Sequence, residues 1–163
     1  MNFTEEDFQK LATEVKEFVI GRMFVDDEGK ETIHESVPVG SDEDMVNPNE
    51  VIINQDDIKI TFDYPLSNKV EKEFSSDGDG FTRHEVWEAV KDGYEEIYAE
   101  EDAAVGDPGT IGENSPPGSP SSKIINRSQS HGPHGIWGHS MDDLYIEGVA
   151  EKVLGEYDLI MGS

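Results

Sequence analysis

The sequence predicts an α+β fold, an antiparallel sheet with two main helices packed on one face and a long Pro/Gly/Ser-rich loop. Apolar residues recur at helical spacing over residues 5–20 and 82–99, which predicts the helices, and alternate with polar residues over 57–75, which predicts a hairpin. A chain of 163 residues suits one domain. We therefore expect a single domain over residues 1–163.

The first helix is predicted from its start signal and its apolar stripe. Thr4 can cap the helix, and apolar residues then recur at helical spacing from Phe8 to Val19. Gly21 suits the position just past the last turn, because glycine readily takes the left-handed conformation found there. We expect the stripe to pack on the protein's own sheet.

Strands are predicted where apolar and polar residues alternate or where short apolar runs occur. The clearest signal is a hairpin of residues 57–64 against 69–75, in which Ile58, Ile60 and Phe62 share one apolar face. That face needs a cover, and the second helix can supply it. Weaker patterns predict further strands, at residues 23–25, 32–34, 51–53, 144–149 and 157–161.

The second helix is predicted to begin at a capping box. Thr82 can accept a hydrogen bond from the Glu85 amide, and the Glu85 side chain can return the contact. An apolar stripe then continues to about Ala99, although Gly93 inside it lowers helix stability by about 1 kcal/mol relative to alanine. Residues 100–130 lose all periodicity and are rich in Pro, Gly and Ser, which predicts a mobile loop.

The net charge of the chain limits the kinds of partner that it can bind. The 37 acidic and 12 basic residues give a net charge of −25. Nucleic acids and anionic membrane surfaces are bound through lysine and arginine, so we expect neither as a partner. A protein partner with a basic surface is favoured, although the same acids also keep a protein soluble without any partner. A DNA-mimicking decoy would require the acids to lie on one face.

The composition also limits the chemistry and the compartment. The chain has no cysteine, which excludes disulfides, thiolate catalysis and cysteine-bound metals. Its first residues are acidic and lack the apolar region of a secretory signal. No stretch reaches the roughly 18 continuous apolar residues of a membrane span. We therefore expect a soluble intracellular protein, cytoplasmic or nuclear.

Residues 131–143 carry the densest chemistry of the chain, with three histidines, a tryptophan and two aspartates separated mainly by glycine. Glycine lets the backbone take turns that other residues resist, so these side chains could converge. We predict binding residues at Trp137, His139, Asp142 and Asp143. Core packing is the commoner use of a tryptophan, and the alternative is an interface anchor.

The histidines of this segment also allow a metal hypothesis. His131, His134 and His139, with Asp142 or Asp143, could supply four ligands of the types that zinc takes. A zinc ion with an open water position would support hydrolysis. The spacing matches no established metal motif, and a histidine between glycines more commonly forms a hydrogen bond to a backbone group or a carboxylate.

Three short motifs carry a resemblance to a protein family. They are FDYPLSN at residues 62–68, GFTR at 80–83, and GIWGH followed three residues later by DL at 135–144. The chain resembles an uncharacterised family of small intracellular proteins that shares these motifs. The resemblance covers about residues 57–149. It implies that the motifs belong to one domain, and it brings no activity, cofactor or catalytic residue.

These observations favour a non-enzymatic function. We predict an acidic protein-binding or assembly module that contacts a basic partner through residues 131–143, with no catalytic residue and no cofactor. The alternative is a metal-dependent hydrolase that uses zinc held by the histidines and aspartates of the same segment.

Overall fold

The computed structural model describes residues 17–34, 36–106, 108 and 127–162. Most of the helix predicted over 5–20 and most of the loop predicted over 100–130 lie outside these residues. The elements below account for the rest of the chain.

Ten strands occur in the described residues. They are β1 (Glu17–Val19), β2 (Arg22–Val25), β3 (Glu31–His34), β4 (Val37–Pro38), β5 (Val51–Ile53), β6 (Asp57–Phe62), β7 (Val70–Ser75), β8 (Phe81–Thr82), β9 (Tyr145–Val153) and β10 (Glu156–Gly162). Six of them form one sheet, and the other four form two sheets of two strands each. Every strand predicted from the sequence is present.

The predicted α+β arrangement, with two main helices on one antiparallel sheet, is wrong. The described residues hold one α-helix, α1 (Arg83–Val105), and a short 3₁₀ helix, Met141–Asp143, beside strands in three sheets. The last residues of the expected first helix form strand β1, which pairs with β9. Residues 18–20 are too short an apolar run for their period to be decisive, so pairing with β9 determines the conformation of β1.

The main sheet has the order β1-β9-β10-β6-β7, and β4 also pairs with β9. It is mixed, and this is a second correction to the predicted antiparallel sheet. β10 runs parallel to β6, with Tyr157 opposite Ile60, whereas the other pairs are antiparallel. A tight turn at Gly155, whose φ is +81°, returns the chain from β9 into β10 and so brings β10 beside β6.

The hairpin predicted over residues 57–75 is confirmed. β6 pairs with β7 from Asp57 opposite Ser75 to Phe62 opposite Val70. Its apolar face, which includes Ile58 and Ile60, is buried in the core. α1 covers this face, because the Phe62 ring meets the Tyr94 ring edge to face at 5.0 Å between centroids.

α1 begins as its sequence predicts and ends later. Both hydrogen bonds of the capping box between Thr82 and Glu85 are present. The helix continues to Val105, six residues beyond the predicted end at Ala99. Gly93 lies directly over the Phe62 ring, since a Cβ there would be 2.3 Å from Phe62 Cζ. The glycine that weakens the isolated helix therefore permits close packing on the sheet.

The start of α1 also holds the loop that precedes β5. Arg83 is 1% exposed, and its guanidinium donates to the Asn47 carbonyl at 2.9 Å and to the Glu50 carboxylate at 2.9 Å. Just before it, Gly80 has a φ of +90°, and a Cβ there would be 2.3 Å from the Ile53 carbonyl oxygen. Each residue of the GFTR motif thus has a local structural role.

Candidate functional site

The predicted binding segment forms a turn over residues 130–139, which we call the Trp137 turn. Glu101, on the buried face of α1, lies beneath this turn and is 0% exposed. Its carboxylate accepts hydrogen bonds from the Ser130 hydroxyl (2.6 Å) and from the amides of Gly132 (3.0 Å), His134 (2.8 Å), Gly135 (3.3 Å) and Ile136 (3.4 Å). The backbone of the turn therefore wraps around one carboxylate.

The protonation state of Glu101 follows from these contacts. Burial raises the pKa of a carboxyl group, because the charged form loses its water. The hydrogen bonds from the Ser130 hydroxyl and from the His134, Gly132 and Ile136 amides outweigh burial and lower the pKa of Glu101 to about 2. Glu101 is consequently ionised at neutral pH, and neutral donors stabilise its charge.

Two glycines of the turn allow this close packing. A Cβ at Gly132 would be 2.6 Å from the Glu101 Oε1 atom. Gly135 has a φ of +62°, and a Cβ there would be 2.8 Å from the Ser67 Cβ atom. Larger residues at these positions would push the turn away from the helix or from the β6–β7 connection.

The outer edge of the turn is bound to the β6–β7 connection, residues 63–69. The Ser67 amide donates to the Gly135 carbonyl at 2.9 Å, and the Asn68 side-chain amide donates to the Pro133 carbonyl at 3.1 Å. The Trp137 amide donates to the Pro65 carbonyl at 3.1 Å. The FDYPLSN and GIWGH motifs are therefore in direct contact.

Trp137 lies at the surface of this arrangement and is 40% exposed. Its ring meets the Tyr64 ring edge to face, with centroids 5.3 Å apart and an interplanar angle of 85°. The His139 ring lies 6.2 Å from the Trp137 ring and 5.8 Å from the Tyr64 ring. These three rings form an aromatic cluster. In the same turn, Ile136 enters the core in place of Trp137.

His139 is the buried member of this cluster and is held from two sides. Its Nδ1 atom forms a short hydrogen bond with the Asp143 carboxylate, and its carbonyl accepts from the Tyr98 hydroxyl at 2.7 Å. Asp142, in the same 3₁₀ helix as Asp143, is exposed. The structure thus brings Trp137, His139 and Asp143 together, and leaves Asp142 on the surface next to them.

The three histidines of the metal hypothesis are held separately. His131 is exposed, the His134 Nε2 atom lies 3.1 Å from the Glu100 carboxylate, and His139 contacts Asp143. In the part of the chain that the structure describes, no group of three histidine, aspartate or glutamate side chains is placed to hold a metal ion. The geometry therefore gives the zinc hypothesis and its hydrolase no support.

Sequence reasoning missed Glu101 because residues 100–130 were expected to form a loop. A signal was available, since Glu101 continues the apolar stripe of Ile97 and Tyr98 at helical spacing. Arg127 was also missed. It is buried, its guanidinium lies 5.2 Å from the Tyr98 ring centroid, and it forms an ion pair with Asp102 at 2.8 Å. No local pattern marks Arg127.

A separate groove of about 400 Å³ lies beside the β9–β10 turn. None of its lining residues belongs to the Trp137 turn, and its lysine, Lys59, is already within ion-pair distance of Glu71 and Glu156. Leu154 at its rim is 84% exposed. The groove brings no reactive group together, so the Trp137 turn remains the candidate site.

Comparisons of the chain with family models, with curated proteins and with solved structures find no match. The resemblance carried by the three sequence motifs therefore stays a prediction. Among the described helices, none combines the length and apolarity needed to cross a bilayer. Any functional conclusion has to rest on the geometry of the site.

Proposed function

We propose that the protein is an acidic binding module that engages a partner protein with a basic surface through the Trp137 turn. The observation that carries the proposal is an exposed tryptophan on a turn that a buried carboxylate, Glu101, holds from beneath. Tryptophan is common among the residues that dominate binding energies, because it buries a large area with few rotatable bonds.

The turn is suited to binding because it is already ordered. Association normally requires loops and side chains at an interface to lose freedom, and that loss weakens binding. Hydrogen bonds to Glu101 and to the β6–β7 connection fix the backbone on both sides of Trp137. The Tyr64 ring restricts the indole itself. The surface that a partner contacts is therefore already ordered, and binding loses less affinity to the ordering of loops and side chains.

The charge around the turn favours a basic partner. Residues 128–151, which carry the Trp137 turn, contain no lysine or arginine, and the β6–β7 connection contains a single lysine, Lys69. Asp63 and Asp142 are exposed on them. A surface of this kind attracts a cationic protein and repels a phosphate backbone.

The proposal is tested by capture of partners with matched variants. Tagged wild-type protein, Trp137→Leu and Leu154→Ala are incubated with extract of the source cells at low salt, and the retained proteins are quantified. Leu154→Ala is the control, because it also shortens an exposed apolar side chain but lies at the β9–β10 turn.

We expect basic proteins that wild type and Leu154→Ala retain and that Trp137→Leu loses, with release when added salt screens the charges. Retention of the same proteins by all three forms would assign binding to bulk charge alone and would refute the proposal. Trp137→Leu must remain folded, which the unchanged signal of the buried Trp87 can verify.

A further inference from the structure

We infer that the Trp137 turn receives an arginine side chain of its partner, with the guanidinium stacked on the indole and paired with a neighbouring aspartate. This inference rests on the proposed function and adds the chemistry that the partner must present. It is carried by the exposed ring, by the carboxylates of the 3₁₀ helix that follows the turn and by the absence of lysine and arginine from residues 128–151.

The ring component is the aromatic cluster of Trp137, Tyr64 and His139. Trp137 is its outermost member and is 40% exposed. An indole face attracts a cation more strongly than the ring of tyrosine or phenylalanine does. Because the Tyr64 ring meets the Trp137 ring at 85°, it fixes the orientation of the exposed indole.

The carboxylate component is the 3₁₀ helix that follows the turn. The Asp143 side chain is 29% exposed and contacts His139, whose ring is 6.2 Å from the Trp137 ring. Asp142 precedes it and is exposed. A guanidinium can stack on a ring and still pair with a carboxylate through its edge, whereas a lysine ammonium is a point charge without a flat face.

Residues 128–151, which include most of the Trp137 turn and the 3₁₀ helix after it, contain no lysine or arginine, and the β6–β7 connection contains one, Lys69. The adjoining Arg127 is 7% exposed and is engaged inside the protein by Tyr98 and Asp102. Arg127 also shows the arrangement that we infer for the partner, since its guanidinium combines a ring 5.2 Å away with a carboxylate at 2.8 Å. The aromatic cluster and the aspartates of the 3₁₀ helix offer the same two components, a ring and a carboxylate, to a cation from another protein.

The inference is tested by NMR titration of the indole N–H signals, because the chain contains two tryptophans and Trp87 is buried. The probes are three acetylated and amidated peptides, Gly-Arg-Gly-Arg-Gly and its lysine and citrulline versions. We expect a saturable shift of the Trp137 signal with the arginine peptide, about five-fold weaker binding of the lysine peptide, and no saturable shift with the uncharged citrulline peptide.

Two variants sharpen the test. Trp137→Leu keeps an apolar side chain without a ring, so the arginine and lysine peptides should bind it equally, as followed by the amide signals of Asp142 and Asp143. Leu154→Ala should keep the preference of the wild type, because Leu154 lies in the β9–β10 turn. The affinities of the three peptides for the wild-type protein are compared without any variant. The inference therefore stays testable even if Trp137→Leu fails to fold.

Equal affinity of wild type for the arginine and lysine peptides, or an unchanged preference in Trp137→Leu, would overturn the inference. If capture of the partner still depends on Trp137 in that case, the proposed function stands and only the choice of arginine fails. If capture is independent of Trp137, the proposed function itself fails.

Discussion

The two ends of α1 each hold a loop through one buried charged side chain, and they do so with opposite chemistry. At the start, Arg83 donates to the Asn47 carbonyl and to the Glu50 carboxylate, both at 2.9 Å. Near the other end, Glu101 accepts from the Ser130 hydroxyl and from the backbone amides of the Trp137 turn. Arginine can only donate and a carboxylate can only accept, so the two loops present opposite faces of their backbones to the helix.

This difference has a consequence for function. Glu101 accepts hydrogen bonds from amides of the turn on its inner side, and on its outer side the Ser67 and Asn68 amides donate to the carbonyls of His134 and Gly135. The turn is thereby fixed on both sides and carries an exposed tryptophan. The loop held by Arg83, residues 46–50, contains no aromatic residue. The turn held by Glu101 therefore carries an exposed aromatic ring, and the loop held by Arg83 carries none.

The largest effect is expected from Glu101→Ala. It leaves several buried donors without an acceptor, so we expect the free energy of unfolding to fall by about 4 kcal/mol. Glu100→Ala is the matched control, since Glu100 is exposed and its carboxylate lies 3.1 Å from the His134 ring nitrogen; its cost should stay within about 1 kcal/mol. Urea unfolding measures both. Equal losses for the two variants would show that Glu101 does not hold the turn.

The acid dependence of stability should show the same contribution. The pKa of Glu101 is about 2 in the folded protein and about 4.3 in an unfolded chain, so its stabilisation is complete above pH of about 4.3 and is lost as the pH falls towards 2. The difference in unfolding free energy between wild type and Glu101→Gln, on the order of 3 kcal/mol at neutral pH, should shrink across that window. A difference that does not change with pH would be inconsistent with an ionised Glu101.

A smaller effect is expected at the opposite end of the helix. Arg83→Met keeps an unbranched side chain of similar length and removes the donors, so we expect a loss of about 2 kcal/mol. The loss is smaller than at Glu101 because the Glu50 side chain is 35% exposed and can be solvated. Lys91→Met, on the solvent side of α1, should cost no more than about 0.5 kcal/mol. If Arg83→Met lowers the free energy of unfolding by more than Glu101→Ala does, the expected ranking of the two ends is wrong.

The smallest effects come from single hydroxyl groups at each end. Ser130→Ala removes the 2.6 Å hydrogen bond to a buried charge and should cost about 1.5 kcal/mol. Thr82→Ala removes an N-cap contact at 3.1 Å and should cost about 1 kcal/mol. Thermal and urea unfolding of the two variants side by side give the comparison, and a greater loss from Thr82→Ala would contradict it.

Local signals predicted the parts of the fold that depend on neighbouring residues. The start of α1 follows from Thr82 and Glu85, and the hairpin of residues 57–75 follows from strict alternation. The conformation of residues 17–19 and the parallel pairing of β10 with β6 depend on strands far away in the sequence. Short apolar runs do not identify such partners, so the two-helix arrangement could not be corrected from the sequence.

The sequence predicts the candidate segment but not the contacts that build the site. The density of residues 131–143 indicated the turn, and glycine content indicated a tightly shaped backbone. Tyr64 and Glu101 come from other segments, and only the fold brings them to Trp137. Histidine spacing suggested convergence on a metal, but the rings are instead held by separate carboxylates, Glu100 and Asp143.

Amide hydrogen exchange in the wild-type protein tests most directly whether Glu101 holds the Trp137 turn. The informative signals are the amides of Gly132 and His134, which donate to that carboxylate at 3.0 and 2.8 Å. We predict exchange as slow as at Ile97 in the middle of α1, because these amides are released only when turn and helix separate. Exchange at the rate of an unstructured peptide would contradict a preformed binding surface.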